Sequence, residues 1–161
     1  MELKTITEAE KEAMLELLTN DQIKLTYMLP DFESREAAVP LFRRLCALSE
    51  DGEHFVRGIF SEGKLLGFLN DVEMENGTME LGYVIHPDHW GRGYATAALR
   101  EAIRQLFALG YDRVIAGAVA ENPASLRVME KAGMRKLKKT DTIEYRGKVH
   151  RCVYCGIGRM E

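Results

Sequence analysis

At 161 residues, with 22 lysines and arginines against 25 aspartates and glutamates, the chain has a formal net charge of −3 and no overall attraction to nucleic acid. A hydrophobic fraction of 46% and a charged fraction of 29% exclude a disordered or fibrous chain, and no run approaches the roughly 18 apolar residues a membrane helix needs. A chain of this length is expected to form one domain over residues 1–161 and to bury about two-thirds of the surface its unfolded form exposes. Met1-Glu2-Leu3-Lys4 begins no basic region followed by an apolar one, so the cytoplasm is the expected location and no membrane is expected among the partners.

Residues 3–6 read as a short strand. Thr7 stands three residues before Glu10, the capping-box spacing, and predicts a helix to about residue 20. Residues 21–34 hold Tyr27, Pro30 and Phe32 without periodicity and read as a loop or broken helix. Ser34 as N-cap opens a second predicted helix to about residue 50, on which Ala38, Leu41, Phe42, Leu45 and Leu48 recur at helical spacing. The period then becomes that of strands. Runs at 54–61 and 64–72 are joined by Glu62-Gly63, and Asn76-Gly77 leads to a third at 79–85, an antiparallel meander.

Beyond it, Ala95, Ala98, Leu99, Ala102, Ile103 and Leu106 mark a long helix. A strand follows at about 113–119, Asn122-Pro123 opens a helix to residue 132, and Gly133 closes it. Strands at 135–144 and 149–157 flank Arg146-Gly147 as a hairpin. The order β-α-α-β-β-β-α-β-α-β-β describes an α+β chain, antiparallel in its first half, with a βα crossover after residue 85. Cys46 sits on an apolar helical face. Cys152 and Cys155 point to opposite faces of a regular strand, which favours neither a disulfide nor a redox pair. Arg135-Lys136-Leu137-Lys138-Lys139 reads as the solvated end of a strand rather than a phosphate-backbone site.

The organising stretch runs from Glu80-Leu81-Gly82-Tyr83-Val84-Ile85 through His86-Pro87-Asp88-His89 to Trp90-Gly91-Arg92-Gly93-Tyr94-Ala95-Thr96. It is a strand, a glycine-bearing loop and a helix start. The first helical turn has backbone N–H groups without intrahelical partners, and the aligned peptide dipoles place about half a positive charge there, so such a junction suits phosphate. Gly91 and Gly93 let the backbone approach an anion, and Ala95 and Thr96 keep the first turn slim. Two glycines in a plain surface turn are the alternative. A P-loop would need a lysine after its second glycine, and a dinucleotide fingerprint a third glycine where Thr96 stands.

Trp90-Gly91-Arg92-Gly93-Tyr94-Ala95 resembles the Gln/Arg-x-x-Gly-x-Gly/Ala pyrophosphate loop of the GNAT superfamily of acetyl-CoA-dependent acetyltransferases, with Trp90 in the Gln/Arg place. Glu80-Leu81-Gly82-Tyr83, Asn122-Pro123-Ala124-Ser125, Met129-Glu130-Lys131-Ala132-Gly133-Met134 and Tyr145-Arg146-Gly147-Lys148 are similar to the branch of ribosomal-protein-alanine N-acetyltransferases. The resemblance covers roughly residues 53–157 and is weak before them. It implies the GNAT fold, a mostly antiparallel mixed sheet flanked by helices, with two strands splayed at an acetyl-CoA cleft that Val84, Ile85, Ala116, Gly117 and Ala118 would line. It further implies acetyl transfer to a primary amine, of a protein N-terminus or a small molecule, by direct attack in a ternary complex. A non-catalytic CoA- or nucleotide-binding sensor is the alternative.

The resemblance implies that residues 91–96 and Trp90 hold the pyrophosphate, with Arg92 and Arg127 either pairing with phosphates or simply solvated. Many GNAT members have a tyrosine where Met129 stands, so Ser125 in the Asn-x-x-Ser pattern becomes the candidate acid for the leaving thiolate. Spacing alone leaves a plain first-turn residue open. Asn122 is a natural N-cap before Pro123 and a candidate pantetheine contact. Glu80 is the candidate base, acting through water, with His86 and His89 as competitors. Trp90 and Tyr94 read as anchors fixing the loop on the core. No Glu, Asp or His set has zinc-like spacing, so no metal is expected. The acceptor wall is expected from residues 21–47 and the final hairpin, with Tyr27, Met28, Phe32 and Phe42 more core than pocket. A homodimer is left open.

Overall fold

The computed structural model describes residues 1–160. Its strands are β1 (Glu2–Lys4), β2 (Arg57–Ser61), β3 (Lys64–Glu75), β4 (Thr78–Ile85), β5 (Arg113–Val119), β6 (Arg135–Tyr145) and β7 (Lys148–Gly158), and its helices α1 (Lys11–Leu18), α2 (Val39–Glu50), α3 (Tyr94–Ala108) and α4 (Pro123–Lys131). The element order is the predicted one. The strands form a mixed seven-stranded sheet in the order β1-β2-β3-β4-β5-β7-β6. The chain divides into two compact units, one of Met1–Asn70 with Tyr83–Ala98, the other of Asp71–Gly82 with Leu99 onward.

In the first unit β1 pairs antiparallel with β2, and β2 with β3. The first strand is shorter than predicted because the Ile6 N–H leaves the ladder and donates to Ser49 Oγ at 3.0 Å. The capping box forms: Thr7 N–H donates to Glu10 Oε1 at 2.8 Å and Thr7 Oγ1 accepts from Ala9 N–H. It opens a 3-10 turn, Glu8–Glu10, that runs into α1. Ser34 does take the Ala37 N–H, at 3.2 Å, but the regular α-helix begins only at Val39, after a 3-10 turn at Glu36–Ala38. Pro40 explains the delay, since a residue without N–H fits only the first turn. The core packs Met14, Leu15, Leu17 and Leu18 of α1 with Phe42 of α2, Phe68 of β3 and Val84 of β4. Phe42 and Phe68, 0% and 1% exposed, are each worth about 1.5–3 kcal/mol by burial.

In the second unit β5 runs parallel to β4, with Thr78 opposite Arg113 and Leu81 opposite Ala116. Parallel neighbours need a long crossover, and α3 supplies it. Its Leu99, Ala102 and Leu106 are fully buried, as is Met129 of α4. On its other edge β5 pairs antiparallel with β7, and β7 with β6. β3 extends to Glu75, three residues beyond the predicted end, because pairing continues to the Asn76-Gly77 turn, both of whose residues have positive φ. Among the described residues no helix is long and apolar enough to cross a membrane.

Candidate active site

The glycine loop lies in the first unit. His86 begins a 3-10 turn, Pro87–His89, and its Nδ1 accepts the Asp88 N–H at 3.1 Å. Gly91 and Gly93 have φ of +76° and +82°. No protein atom lies within 4 Å of a Cβ built at either, so the backbone angle is what requires glycine. The first intrahelical bond of this junction runs from Ala97 N–H to Gly93 O at 3.0 Å, which leaves the preceding N–H groups of the α3 start without helical acceptors. Arg92 is exposed, and Ala95 and Thr96 are half-buried. Val84 contributes its side chain to the core, so what it can present to a ligand is backbone.

The aromatic anchors are arranged differently from expectation. Trp90 is 49% exposed and does not enter the core. Its indole N–H donates to the Ile85 carbonyl at 2.7 Å, which fixes the ring to the end of β4 through a hydrogen bond instead. Tyr94 is half-buried and meets His89 edge-on at 6.2 Å. His86 is engaged in the loop, while His89 keeps a buried Nδ1 without a hydrogen-bond partner among the described residues. Besides its turn contact, His86 turns Nε2 to Glu16 Oε1 of α1 at 3.3 Å, and this bond is the main reason the Glu16 carboxyl titrates below its ordinary value. Arg35 bonds the same Glu16 at 3.4 Å.

The second unit holds the candidate acid and base. Asn122 is the N-cap of α4, its Oδ1 accepting the Ser125 N–H at 3.3 Å, with Pro123 in the first turn. Ser125 is half-buried and Arg127 exposed. Glu80, on β4, has a side chain 14% exposed, with Lys139 Nζ 3.9 Å from Oε1. Its carboxyl titrates above its ordinary value, chiefly because burial strips it of water; Lys139 opposes the rise, and Glu73 and Asp141 add to it. Glu80 borders a cavity of about 330 Å³ lined by Glu73, Glu75, Asn76, Thr78, Ile115 and Lys139. A carboxyl raised in this way is a candidate general base.

Three neighbours of Glu80 were not legible in the sequence. Tyr154 of β7 stands opposite Gly117 of β5, and its ring lies where a Gly117 Cβ would come within 2.7 Å. Gly117, expected to line a ligand cleft, is therefore covered by this ring, while Ala116 is fully buried and Ala118 half-buried. The Tyr154 O–H donates to Asp141 Oδ2 at 3.4 Å, and burial is the first cause that pushes its phenol up to about 12, so it is protonated at neutral pH. Lys139 Nζ sits 4.5 Å from the ring centre. The basic run read as a solvated strand end thus delivers one of its lysines to Glu80. Its only sequence signal is alternation along the final hairpin, and without knowing that β7 neighbours β5 that signal names no partner.

The family model for the acetyltransferase (GNAT) domain matches residues 1–135. The chain is 30% identical over 139 residues to the uncharacterized N-acetyltransferase YoaA of Bacillus subtilis (strain 168), covering 83% of this chain and 78% of that one. It is 29% identical over 163 residues to the putative ribosomal N-acetyltransferase YdaF of the same organism, covering 94% of this chain and 87% of that one. The fold matches the crystal structure of spermidine N-acetyltransferase from Vibrio cholerae in complex with CoA and spermine, with a TM-score of 0.82 at 18% identity over 99% of this chain and 95% of that one. The chain belongs to the GNAT family of acetyltransferases, as an N-acetyltransferase whose co-substrate is acetyl-CoA.

Proposed function

We propose that the chain, acting as a single acetyltransferase domain, moves the acetyl group to a primary amine by direct attack in a ternary complex. Residues 91–96 hold the pyrophosphate on the N–H groups of the α3 start, and Asn122 and Ser125 meet the pantetheine end. Glu80 takes, through a water, the proton that the acceptor ammonium sheds before attack. The amine nitrogen bonds to the thioester carbon and sheds its second proton to solvent, the C–S bond breaks, and the Ser125 hydroxyl protonates the departing sulfur and regains its proton from solvent. The half-buried Glu80 carboxyl, titrating above its ordinary value beside a polar cavity, is the observation that carries this reading. Direct attack needs no protein nucleophile, and positioning supplies much of the rate.

The reaction belongs in the cytoplasm, with neither nucleic acid nor membrane as partner. Relatives point to two acceptor classes, a ribosomal protein through YdaF and a polyamine through the Vibrio cholerae enzyme. Release of CoA thiol is measured with Ala- and Ser-starting peptides and with small amines, including spermidine. Ser125→Ala should then lower kcat by about 10- to 1,000-fold while the acetyl-CoA dissociation constant stays nearly unchanged. Full activity in that variant removes Ser125 from the mechanism. Thiol release that no amine stimulates overturns the transfer itself.

A further inference from the structure

Strand β6 does not pair evenly with β7. Lys136 stands opposite Cys155 and Thr140 opposite Val153, so residues 137–139 of β6 all fall across from Tyr154 alone. An insertion of this kind bends a strand and re-aims its side chains, and such bulges concentrate next to active sites. The side chain delivered here is Lys139, whose ammonium lies 4.5 Å from the Tyr154 ring centre and 3.9 Å from Glu80 Oε1. The ring that carries it is fixed twice. It lies against Gly117, where no Cβ could fit, and its O–H is bonded to Asp141.

We propose that Lys139 is a positioning residue for the transfer reaction, seated on Tyr154 by the bulge in β6 so that its ammonium holds the Glu80 carboxylate in its charged, proton-accepting form. The inference rests on the reading of Glu80 as the base. The groups that act on Glu80 come from three strands. Glu73 of β3 and Asp141 of β6 repel its charge, Tyr154 and Cys152 of β7 titrate against it, and Lys139 of β6 is the cation that opposes them. Burial makes ionisation of Glu80 costly, and a base that stays protonated cannot accept the acceptor's proton. A cation on an aromatic face is stabilised by the ring's quadrupole while keeping solvent on its other side, and Lys139 is 44% exposed. Removing the cation should leave Glu80 protonated to higher pH, so that activity is lost from the acid side first. At alkaline pH, where Glu80 ionises unaided, the loss should vanish.

Lys139→Met and Lys139→Arg test this. In Lys139→Met the acid limb of the kcat/KM profile should move up by roughly half to one pH unit, so that at a pH on that limb kcat/KM falls by about 3- to 10-fold relative to its value at pH 8.5, compared with the unaltered enzyme. Lys139→Arg, which keeps the cation, should restore most of it. A carbon-13 NMR titration of the Glu80 carboxyl, run without substrates, should show its midpoint rising by the same amount in Lys139→Met. An unmoved midpoint overturns the hold of Lys139 on Glu80 whatever the rates do. A midpoint that moves while the pH profile stays fixed overturns the role in the reaction, by removing Glu80 as the base on which it rests. Equal loss at all pH values in both variants assigns Lys139 to stability alone and overturns the proposal.

Discussion

The glycine loop and the surroundings of Glu80 are built by opposite means. At the loop the groups proposed to bind phosphate are backbone N–H donors, offered by a turn whose two glycines have φ of +76° and +82° and by the start of a 15-residue helix. Side chains there serve the scaffold: Trp90 bonds the Ile85 carbonyl, and His86 caps a turn and ties to Glu16. Around Glu80 the backbone is strand, bulged where β6 passes Tyr154, and the proposed chemistry comes from side chains on different strands, Glu80 on β4, Tyr154 on β7, Lys139 and Asp141 on β6. A backbone site needs only contiguous residues and local angles. A side-chain site needs a strand order.

The largest effect should come from the side-chain region. Glu80→Gln removes the proposed base while keeping its shape, and kcat should fall by about 100- to 10,000-fold with acetyl-CoA affinity retained, as measured by steady-state kinetics and calorimetry. Stability should move the other way. Because the folded-state pKa of Glu80 is raised, the native protein binds more protons than the unfolded chain between the two values, and its stability falls as pH rises through that window. At pH 8 the glutamine variant, with no charge to bury, should therefore melt above the unaltered protein, and at pH 4 the difference should close. A variant that melts lower at pH 8 would show that Glu80 is held by favourable contacts and not strained by burial.

The backbone region predicts the complementary pattern. A Cβ at position 93 meets no neighbouring atom, yet a β-branched residue at φ +82° is strained by about 1–2 kcal/mol or more and will turn the loop out of its shape. Gly93→Val should raise the acetyl-CoA dissociation constant by about 10- to 100-fold, roughly 1.4–2.8 kcal/mol, with kcat at saturating acetyl-CoA changed far less. If kcat falls and affinity holds, the loop is not where the pyrophosphate is bound.

That division also explains what could be read before the fold was known. Element order, the three hairpin turns, the glycine loop and the Asn122 cap all follow from neighbours in sequence, and they match the structure closely. Tyr154 did not stand out, because Val153-Tyr154-Cys155 reads as any buried strand until β7 is known to lie against β5 at Gly117. Lys139 lies in a run that reads as a solvated strand end, and its side chain is indeed 44% exposed, but a run of basic residues gives no hint of the bulge that turns one of them toward a carboxylate. The aromatic character of Trp90 points to a core anchor, whereas its position is set by a single N–H to carbonyl bond.

Gly117→Ala sharpens the comparison at the place where backbone and side chain meet. A Cβ 2.7 Å from the Tyr154 ring cannot be tolerated without moving the ring, and overpacking of this kind costs about 1–3 kcal/mol. The variant should melt lower and lose turnover as Tyr154 and Lys139 shift, with acetyl-CoA affinity unchanged. Tyr154→Leu on the Gly117→Ala background should recover stability, because the clash goes, without recovering the rate. Recovery of both would deny the ring any part in seating Lys139.

The smallest effect belongs to Asn122, which stands in both kinds of site at once. As N-cap its Oδ1 satisfies the Ser125 N–H, and Asn122→Ala should cost about 1 kcal/mol, lowering the melting temperature by roughly 2–4 °C for a chain of this size. Asn122→Asp keeps a capping oxygen and adds a negative charge at a helix N-terminus, where the dipole favours it, so its stability should equal or slightly exceed that of the unaltered protein. The two variants therefore separate structure from chemistry. If Asn122 only caps the helix, the aspartate variant should be fully active and the alanine variant should lose activity only near its melting temperature. If the Asn122 amide also donates to pantetheine, aspartate removes that donor while holding the helix, and KM for acetyl-CoA should rise by about 5- to 10-fold, the loss of one ordinary hydrogen bond, in a protein that melts normally.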